Sequence, residues 1–150
     1  MHLHWVSASE WALPDERIFV VEPVWTEVAR HAPSALGDTR LTRIAAPTEV
    51  DARLEPFRLD AAEAAAITFA LLQPDAILLC DELAGRQACS ALGLRFAGSV
   101  GLIIHAVGAR RVSVERAVQA LSELPGRSRL HASQDLIAEA IDAVRRVVVQ

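Results

Sequence analysis

The sequence predicts an α/β fold built around a mainly parallel sheet. Short apolar runs of strand length alternate along the chain with segments whose apolar residues recur at helical spacing. The run 76–80 is apolar without interruption, as is typical of a parallel strand covered on both faces. With 150 residues, 52% of them hydrophobic and 23% charged, the chain is expected to form one globular domain over residues 1–150.

The N-terminal third is predicted to hold three strands and one helix. A first strand is expected to end at Val6-Ser7-Ala8-Ser9, and Phe19-Val20-Val21 forms the second strand. A helix follows over Val24 to His31. The strand Leu41 to Ala45 lies in the loosest part of the chain, Pro33 to Pro56.

The middle of the chain opens with a capped helix. Asp60 and Glu63 form a capping box ahead of apolar residues at helical spacing. Pro74 then breaks the helix, because proline lacks the amide and restricts the residue before it. The apolar run 76–80 should follow as a central strand.

Acidic residues follow that strand. Asp81 and Glu82 come where the strand leaves the sheet, and a helix follows over Leu83 to Leu92. A short strand covers Leu94 to Ala97. The segment Gly98-Ser99-Val100-Gly101 then opens another helix, whose free amides could face a phosphate or could simply form a tight turn.

Two amphipathic helices are predicted at the C-terminus. One begins after Ser113 and ends at Pro125-Gly126, and the other begins near Ser133. Both are expected to cover the sheet. The run Val147-Val148-Val149 could extend an apolar patch to a second subunit, and a symmetric dimer would be the commonest assembly.

Four segments resemble conserved segments of the PIN-domain family, in particular the small prokaryotic proteins grouped with VapC-type ribonuclease toxins. They are FVVEPVWTEV at 19–28, LDAAEAAAI at 59–67, ILLCDE at 77–82 and LGLRFAGSVGLI at 92–103. Their order and spacing match those of the family. The resemblance covers most of residues 18–108 and implies a three-layer α/β/α sandwich.

The resemblance also implies a set of acidic site residues. Carried over one by one, they are Glu27, Glu63 and Asp81 as ligands of Mg²⁺ or Mn²⁺, with Glu82 assisting them. In the family such acids hold divalent metal and activate water for hydrolysis of RNA phosphodiesters. The implied partners are RNA, a cognate antitoxin protein and a second copy of the chain.

The fit fails at the first strand. The family's strand normally ends in Asp, whereas this chain has Ser7 at that place and only residues 10–18 before the next strand. Losing a carboxylate should weaken metal binding. Glu10 or Asp15 could replace the missing ligand, or the natural start could lie upstream.

Each acid also has a purely structural interpretation. Helix capping by itself accounts for Asp60 and Glu63. Asp81 could cap the next helix, and Glu82 could supply favourable charge in its first turn. Glu27 could be an ordinary solvated residue. An inactive PIN-like domain that binds RNA or protein is therefore the second hypothesis.

Charge is distributed unevenly along the chain. Residues 1–85 carry six Arg against fourteen Asp and Glu, whereas residues 86–150 carry nine Arg against five acids, and there is no Lys. Arginine recognises phosphate through its planar fork. Candidate substrate contacts are the hydroxyls and guanidiniums of Ser7, Arg86, Arg95, Ser99, Arg110 and Arg111, although a solvated surface would account equally well for any single arginine.

The remaining features are less specific. The chain shows no signal peptide and no apolar run near the ~20 residues that span a bilayer, so a cytoplasmic location is expected. Cys80 and Cys89 lack a Cys-x-x-Cys spacing and should be reduced thiols. His2 and His4 would share a strand face and could bind a transition metal weakly.

Overall fold

The computed structural model describes residues 2–13, 17–127 and 132–147. In chain order the elements are α1 (His2–Trp5), α2 (Ser9–Ala12), β1 (Ile18–Val21), α3 (Glu22–His31), β2 (Leu41–Ile44), α4 (Ala61–Leu71), β3 (Ile77–Leu79), α5 (Leu83–Ala91), β4 (Arg95–Ala97), α6 (Ser99–Gly108), α7 (Val114–Arg127) and α8 (Gln134–Val147). Two 3₁₀ turns cover Pro33–Gly37 and Ala52–Phe57. The fold is mixed α/β with helices dominant and short parallel strands, in agreement with the predicted class.

The chain divides into two compact units. The terminal unit comprises residues 1–15 and 98–150, and the central unit comprises residues 16–97. All four described strands belong to the central unit, whereas the described part of the terminal unit is helical.

The strands of the central unit form two parallel pairs. β1 pairs with β2, with Ile18 opposite Leu41, and β3 pairs with β4, with Ile77 opposite Arg95. Among the described residues these are two separate two-stranded sheets. The sequence predicted one sheet. The structure differs because apolar runs of strand length show where strands lie but not which strands pair with each other.

The prediction that 76–80 is a central strand covered on both faces was wrong. β3 pairs only with β4 in the described part of the chain, and Ile77 and Leu79 are 55% and 43% exposed. Of the three residues of β3, only Leu78 packs against the core of the central unit. A continuous apolar run does not reveal how many faces of a strand are covered, because the alternation of side chains is hidden when every residue is apolar.

α4 begins as the sequence predicts. The Glu63 amide donates to Asp60 Oδ1 at 2.8 Å, and the Asp60 amide donates to Glu63 Oε2 at 3.1 Å, which completes a capping box. Behind this start lies the core of the central unit, formed by Leu54, Ala64, Ile67, Ala88 and Cys89. The capping box is therefore fixed to well-packed elements.

The predicted first strand was also wrong. Residues 2–5 and 9–12 form α1 and α2, and Ser7 lies between them with φ of 52°. The turn is held by hydrogen bonds to backbone carbonyls, from the Ala8 amide to Leu3 at 2.8 Å and from the Trp11 indole to Ser7 at 3.1 Å. Burial of Leu3, Val6, Ala8 and Trp11 favours this helical packing over an extended chain.

The remaining helices of the terminal unit pack on one another. α6, α7 and α8 contact each other in every pairing, around a core that includes Ile103, Leu121, Leu124 and Val144. α7 runs on to Arg127 instead of ending at Pro125, because a proline in the last turn removes only a hydrogen bond near the helix end.

Three predictions of the sequence fall beyond the described structure. The side chain of His4, the backbone of Asp15 and the pair Val148-Val149 lie outside the described residues. In the part of the chain that is described, no helix is both long and apolar enough to cross a membrane.

Candidate acidic site

The two carboxylate oxygens of Glu63 lie in different surroundings. Oε2 accepts the Asp60 amide in the capping box. Oε1 is buried and has no hydrogen-bond partner among the described residues. A buried carboxylate oxygen without a donor is costly, because it has lost water without gaining a replacement. Such an oxygen is chemically suited to accept a cation or a proton.

Three elements of the central unit meet at this oxygen. A Cβ placed on Gly85 in the first turn of α5 would lie 3.4 Å from Glu63 Oε1 and 2.5 Å from Cys80 Sγ. Real Cβ atoms essentially never approach a neighbour as closely as the second distance. The absence of a side chain at Gly85 therefore lets α5 lie directly against the start of α4 and the end of β3.

The electrostatics of Glu63 indicate which other acids are nearby. Burial raises the pKa of the Glu63 carboxyl, and the hydrogen bond from the Asp60 amide opposes this rise. The negative charges of Asp60, Glu82 and Glu27 raise the pKa further. Acids from α3, α4 and the start of α5 thus contribute to one region of negative potential.

Cys80 extends that region toward Asp81. Burial raises the pKa of the Cys80 thiol to about 11, and the nearby Cys89, Glu63 and Asp81 raise it too. The thiol donates to the Glu82 carbonyl, with the sulfur 3.6 Å from the oxygen. Cys80 is therefore a neutral thiol at physiological pH, and it packs against the acids without adding charge. Both cysteines are free, as the sequence predicts.

The other three acids are reached from solvent. Glu27 on α3 and Glu82 at the start of α5 are exposed, and Asp81 is half-buried. Glu82 occupies the N-cap of α5 but makes no side-chain capping bond. The interpretation as a helix cap thus holds for Asp60 and Glu63, whereas the N-cap of α5 is Glu82 and not Asp81.

A basic residue also lies on α5. Arg86 is on α5, one turn after Glu82, and its amide donates to the Glu82 carbonyl at 3.0 Å. Its Nε atom is buried and has no hydrogen-bond partner among the described residues. By contrast, Arg95 Nη2 donates to the Asp75 carbonyl at 2.6 Å, at the opposite end of β3 from Asp81.

The donors suit a hard divalent cation. Glu27, Glu63 and Asp81 offer only oxygen ligands, and the partnerless Glu63 Oε1 lies in negative potential. Over the described ranges, however, no three His, Cys, Asp or Glu side chains lie close enough together to hold a metal ion. Mg²⁺ usually keeps several waters and takes one or two protein carboxylates, so this looser arrangement fits it.

The other candidate residues belong to the terminal unit. Ser7 is exposed in the turn between α1 and α2, and Glu10 is exposed on α2. Ser99, the first residue of α6, is only 7% exposed. Arg110 and Arg111 are exposed after the end of α6.

Sequence reasoning missed the contribution of Gly85 and Cys80. An isolated glycine inside a predicted helix was the available signal, since such a residue costs about 1 kcal/mol relative to Ala and usually has a packing reason. Gly85 comes three residues after Glu82. The contact with Cys80 could not be predicted, because it depends on how α5 packs against β3.

Comparison with models of known protein families gives a match. A family model described as a PIN domain matches residues 11–146, which include most of both units. No curated protein and no solved structure matches the chain. The matched range contains all four acids that the motif resemblance singled out. The chain belongs to the PIN-domain family.

Proposed function

We propose that this protein is a divalent-metal-dependent ribonuclease that hydrolyses phosphodiester bonds of single-stranded RNA. PIN domains are generally nucleases, and the carrying observation is the state of Glu63. Its Oε1 is buried without a partner among the described residues, and burial, together with the charges of Asp60, Glu82 and Glu27, raises the pKa of the carboxyl. A bound cation would supply the partner that this oxygen lacks.

In this proposal the four acids have distinct tasks. Glu63, Glu27 and Asp81 hold Mg²⁺ or Mn²⁺ directly or through water, and the exposed Glu82 orients water at the edge of the site. When bound, the cation lowers the pKa of its water and offsets charge on the phosphate. Arg86, one turn from Glu82, approaches the phosphate.

The proposal has finer parts that follow the family resemblance. Residues 1–150 form one domain, in which the two strand pairs belong to a three-layer α/β/α sandwich. The nuclease is of the toxin type, with a cognate antitoxin and a homodimeric assembly. An adjacent gene for a small DNA-binding protein that co-purifies with this chain would support the toxin assignment, and its absence would count against it.

The test of the reaction is cleavage of labelled single-stranded RNA. We expect cleavage with Mg²⁺ or Mn²⁺, no cleavage with chelator, and a loss of at least about 100-fold in Asp81→Asn, which removes one charge and keeps the shape. Asp75→Asn is the matched control, because it removes the same charge at the other end of β3. Cleavage that survives Asp81→Asn but not chelation would show that another site does the chemistry.

A second candidate function is a PIN-like module that binds RNA or protein without cutting. One observation favours it: over the described ranges, no three His, Cys, Asp or Glu side chains form a cluster that could hold a metal ion. This candidate predicts no cleavage at any metal concentration. RNA or protein binding would then be unaffected by Asp81→Asn.

A further inference from the structure

The terminal unit carries a groove that is separate from the four acids named above. Its volume is about 690 Å³, and its lining includes Val107, Arg110, Arg111, Ser113, Glu115 and Val147. We call it the arginine groove. Small-ligand sites usually measure ~300–1,000 Å³, so the arginine groove has room for a nucleotide.

Its two guanidiniums are free to meet a ligand. Arg110 and Arg111 are exposed, and neither makes an ion pair with any described residue. A guanidinium presents up to five N–H donors in a fixed fork that matches a phosphate. Two adjacent forks at one groove therefore form a candidate phosphate contact.

The carboxylate of the arginine groove, Glu115, already accepts hydrogen bonds from within the protein. Glu115 lies in the first turn of α7, where hydrogen bonds from its own backbone amide and from Ser113 lower its pKa. Ser113 Oγ also accepts the Arg116 amide at 3.3 Å. Because Ser113 and Glu115 satisfy the start of α7, the binding energy for an anion comes from Arg110 and Arg111, and Glu115 opposes it.

The lining between the charges is apolar. Val107, Val112, Val114 and Val147 border the arginine groove; Val107 is buried, Val112 and Val114 are half-buried, and Val147 is 37% exposed. A base stripped of its pairing partner can lie against such side chains, whereas a paired duplex keeps its bases stacked inside. The combination of guanidiniums and valines fits one nucleotide unit of a single strand.

We propose that the arginine groove binds single-stranded RNA, with phosphate on Arg110 and Arg111 and a base against the valines. This inference rests on the proposed ribonuclease function and deepens it by assigning a place where substrate is held. Phosphate contacts position a strand without reading its sequence, so binding here is independent of base identity.

Binding is tested separately from cleavage. Anisotropy of a labelled 12-nucleotide RNA in chelator measures affinity for wild type and for Arg110→Gln, Arg111→Gln, Glu115→Gln and Arg127→Gln. We expect Arg110→Gln and Arg111→Gln each to weaken binding about three- to tenfold. Each should also make the slope of log affinity against log salt concentration shallower by about 0.7. Glu115→Gln should tighten binding, because it removes the opposing charge.

Arg127→Gln is the net-charge control. It removes one exposed positive charge, which in wild type pairs with Glu123 at 2.8 Å, at the far end of α7 and about 20 Å from its first turn. It should leave binding within about twofold. Equal losses in Arg127→Gln and the two groove variants would reduce the effect to net charge and overturn the proposal.

Other outcomes separate this inference from the proposed function. Cleavage with metal but no groove-dependent binding in chelator would overturn the arginine groove and leave the nuclease standing. RNA binding that depends on Arg110 and Arg111, without cleavage, would support the arginine groove and overturn the nuclease proposal. Adenosine monophosphate that binds as tightly as the 12-mer would overturn the assignment to an RNA strand and identify a free nucleotide as the occupant.

Discussion

At Glu63, one side chain is shared between a helix cap and the acidic site. Oε2 closes the capping box, while Oε1 lies buried near Gly85. Glutamine can replace glutamate in a capping box, because its carbonyl oxygen also accepts the N-cap amide. The two roles of this residue can therefore be separated by one substitution.

Glu63→Gln should flatten the pH dependence of stability without metal. Burial and neighbouring acids raise the folded-state pKa of Glu63 above 4.5. An acid with a raised folded pKa contributes stability that is full below its unfolded pKa and is lost as pH rises through the folded value. Wild type should thus lose stability as pH rises from about 4.5, by no more than about 1 kcal/mol because solvent screens the carboxyl.

Urea unfolding of both proteins between pH 4 and pH 7.5 measures this effect. Glu55→Gln, at an exposed carboxyl of the same unit, is the control and should follow wild type. An identical pH slope in wild type and Glu63→Gln would mean that Glu63 is as solvated in the folded state as in the unfolded state.

Gly85→Ala and Gly101→Ala should act in opposite directions. Both glycines lie in helices, where Ala is favoured by about 1 kcal/mol. A Cβ at Gly85 would lie 2.5 Å from Cys80 Sγ, whereas one at Gly101 meets nothing within 4 Å. We expect Gly85→Ala to destabilise by about 1–3 kcal/mol and Gly101→Ala to stabilise by up to about 1 kcal/mol.

Thermal and urea unfolding check both values. Combining Gly85→Ala with Cys80→Ala should recover part of the loss, because the atom that blocks the new Cβ is gone. If Gly85→Ala stabilises the protein as Gly101→Ala does, then α5 does not lie against Cys80.

At the scale of elements, α5 and α6 end with the same turn. After α5 the Leu94 amide donates to the Cys89 carbonyl at 2.9 Å, and after α6 the Arg111 amide donates to Ala106 at 2.9 Å. Each turn needs a residue with positive φ. Gly93 fills that place after α5 with φ of 71°, whereas Arg110 fills it after α6 with φ of 56°.

Arg110→Gly should keep or raise stability while weakening RNA binding. The left-handed conformation costs a non-glycine residue about 1–2 kcal/mol, and the larger freedom of unfolded glycine offsets part of the gain. We expect a net stabilisation of up to about 1 kcal/mol and a loss of RNA affinity at least equal to that of Arg110→Gln. Melting and anisotropy on one preparation measure both, and a destabilised Arg110→Gly would show that the arginine side chain supports the fold.

Local elements were predictable where their cause is local. The capping box at Asp60 and the end of α5 near Leu92 each depend on residues within one turn, and both lie where the sequence indicated them. The first strand failed, because burial of Trp11 against a helical turn depends on packing that no local pattern reveals. The prediction that both faces of β3 are covered was wrong for the same reason.

At the scale of the whole molecule, the acids collect on the central unit and the unpaired arginines of the groove lie on the terminal unit. The charge asymmetry along the sequence does not follow this division, because residues 1–15 and 98–150 together carry seven Arg and seven Asp or Glu. The sequence could name Glu27, Glu63, Asp81 and Glu82 through the family motifs. It could not show that Glu63 turns a free oxygen toward Gly85, since that depends on the packing of three elements.

Divalent metal should stabilise the folded protein. A ligand that binds only the folded state stabilises it by about 2.7 kcal/mol at 100 times its Kd. We expect Mn²⁺ to raise the Tm of wild type and of Asp75→Asn by similar amounts, and to raise the Tm of Glu63→Gln and Asp81→Asn much less. Equal rises in all four proteins would mean that the metal binds away from the acidic site.

The shared carboxylate has a practical consequence for following the site in solution. The Asp60 amide hydrogen is held by Glu63 Oε2, so its exchange with solvent and its nitrogen chemical shift depend on how that carboxylate is oriented and charged. A cation or proton that binds Glu63 Oε1 would reorient the carboxylate and weaken the hydrogen bond from the Asp60 amide to Oε2. The start of the helix thus acts as a built-in, label-free reporter of what the acidic site holds, readable one residue at a time by NMR.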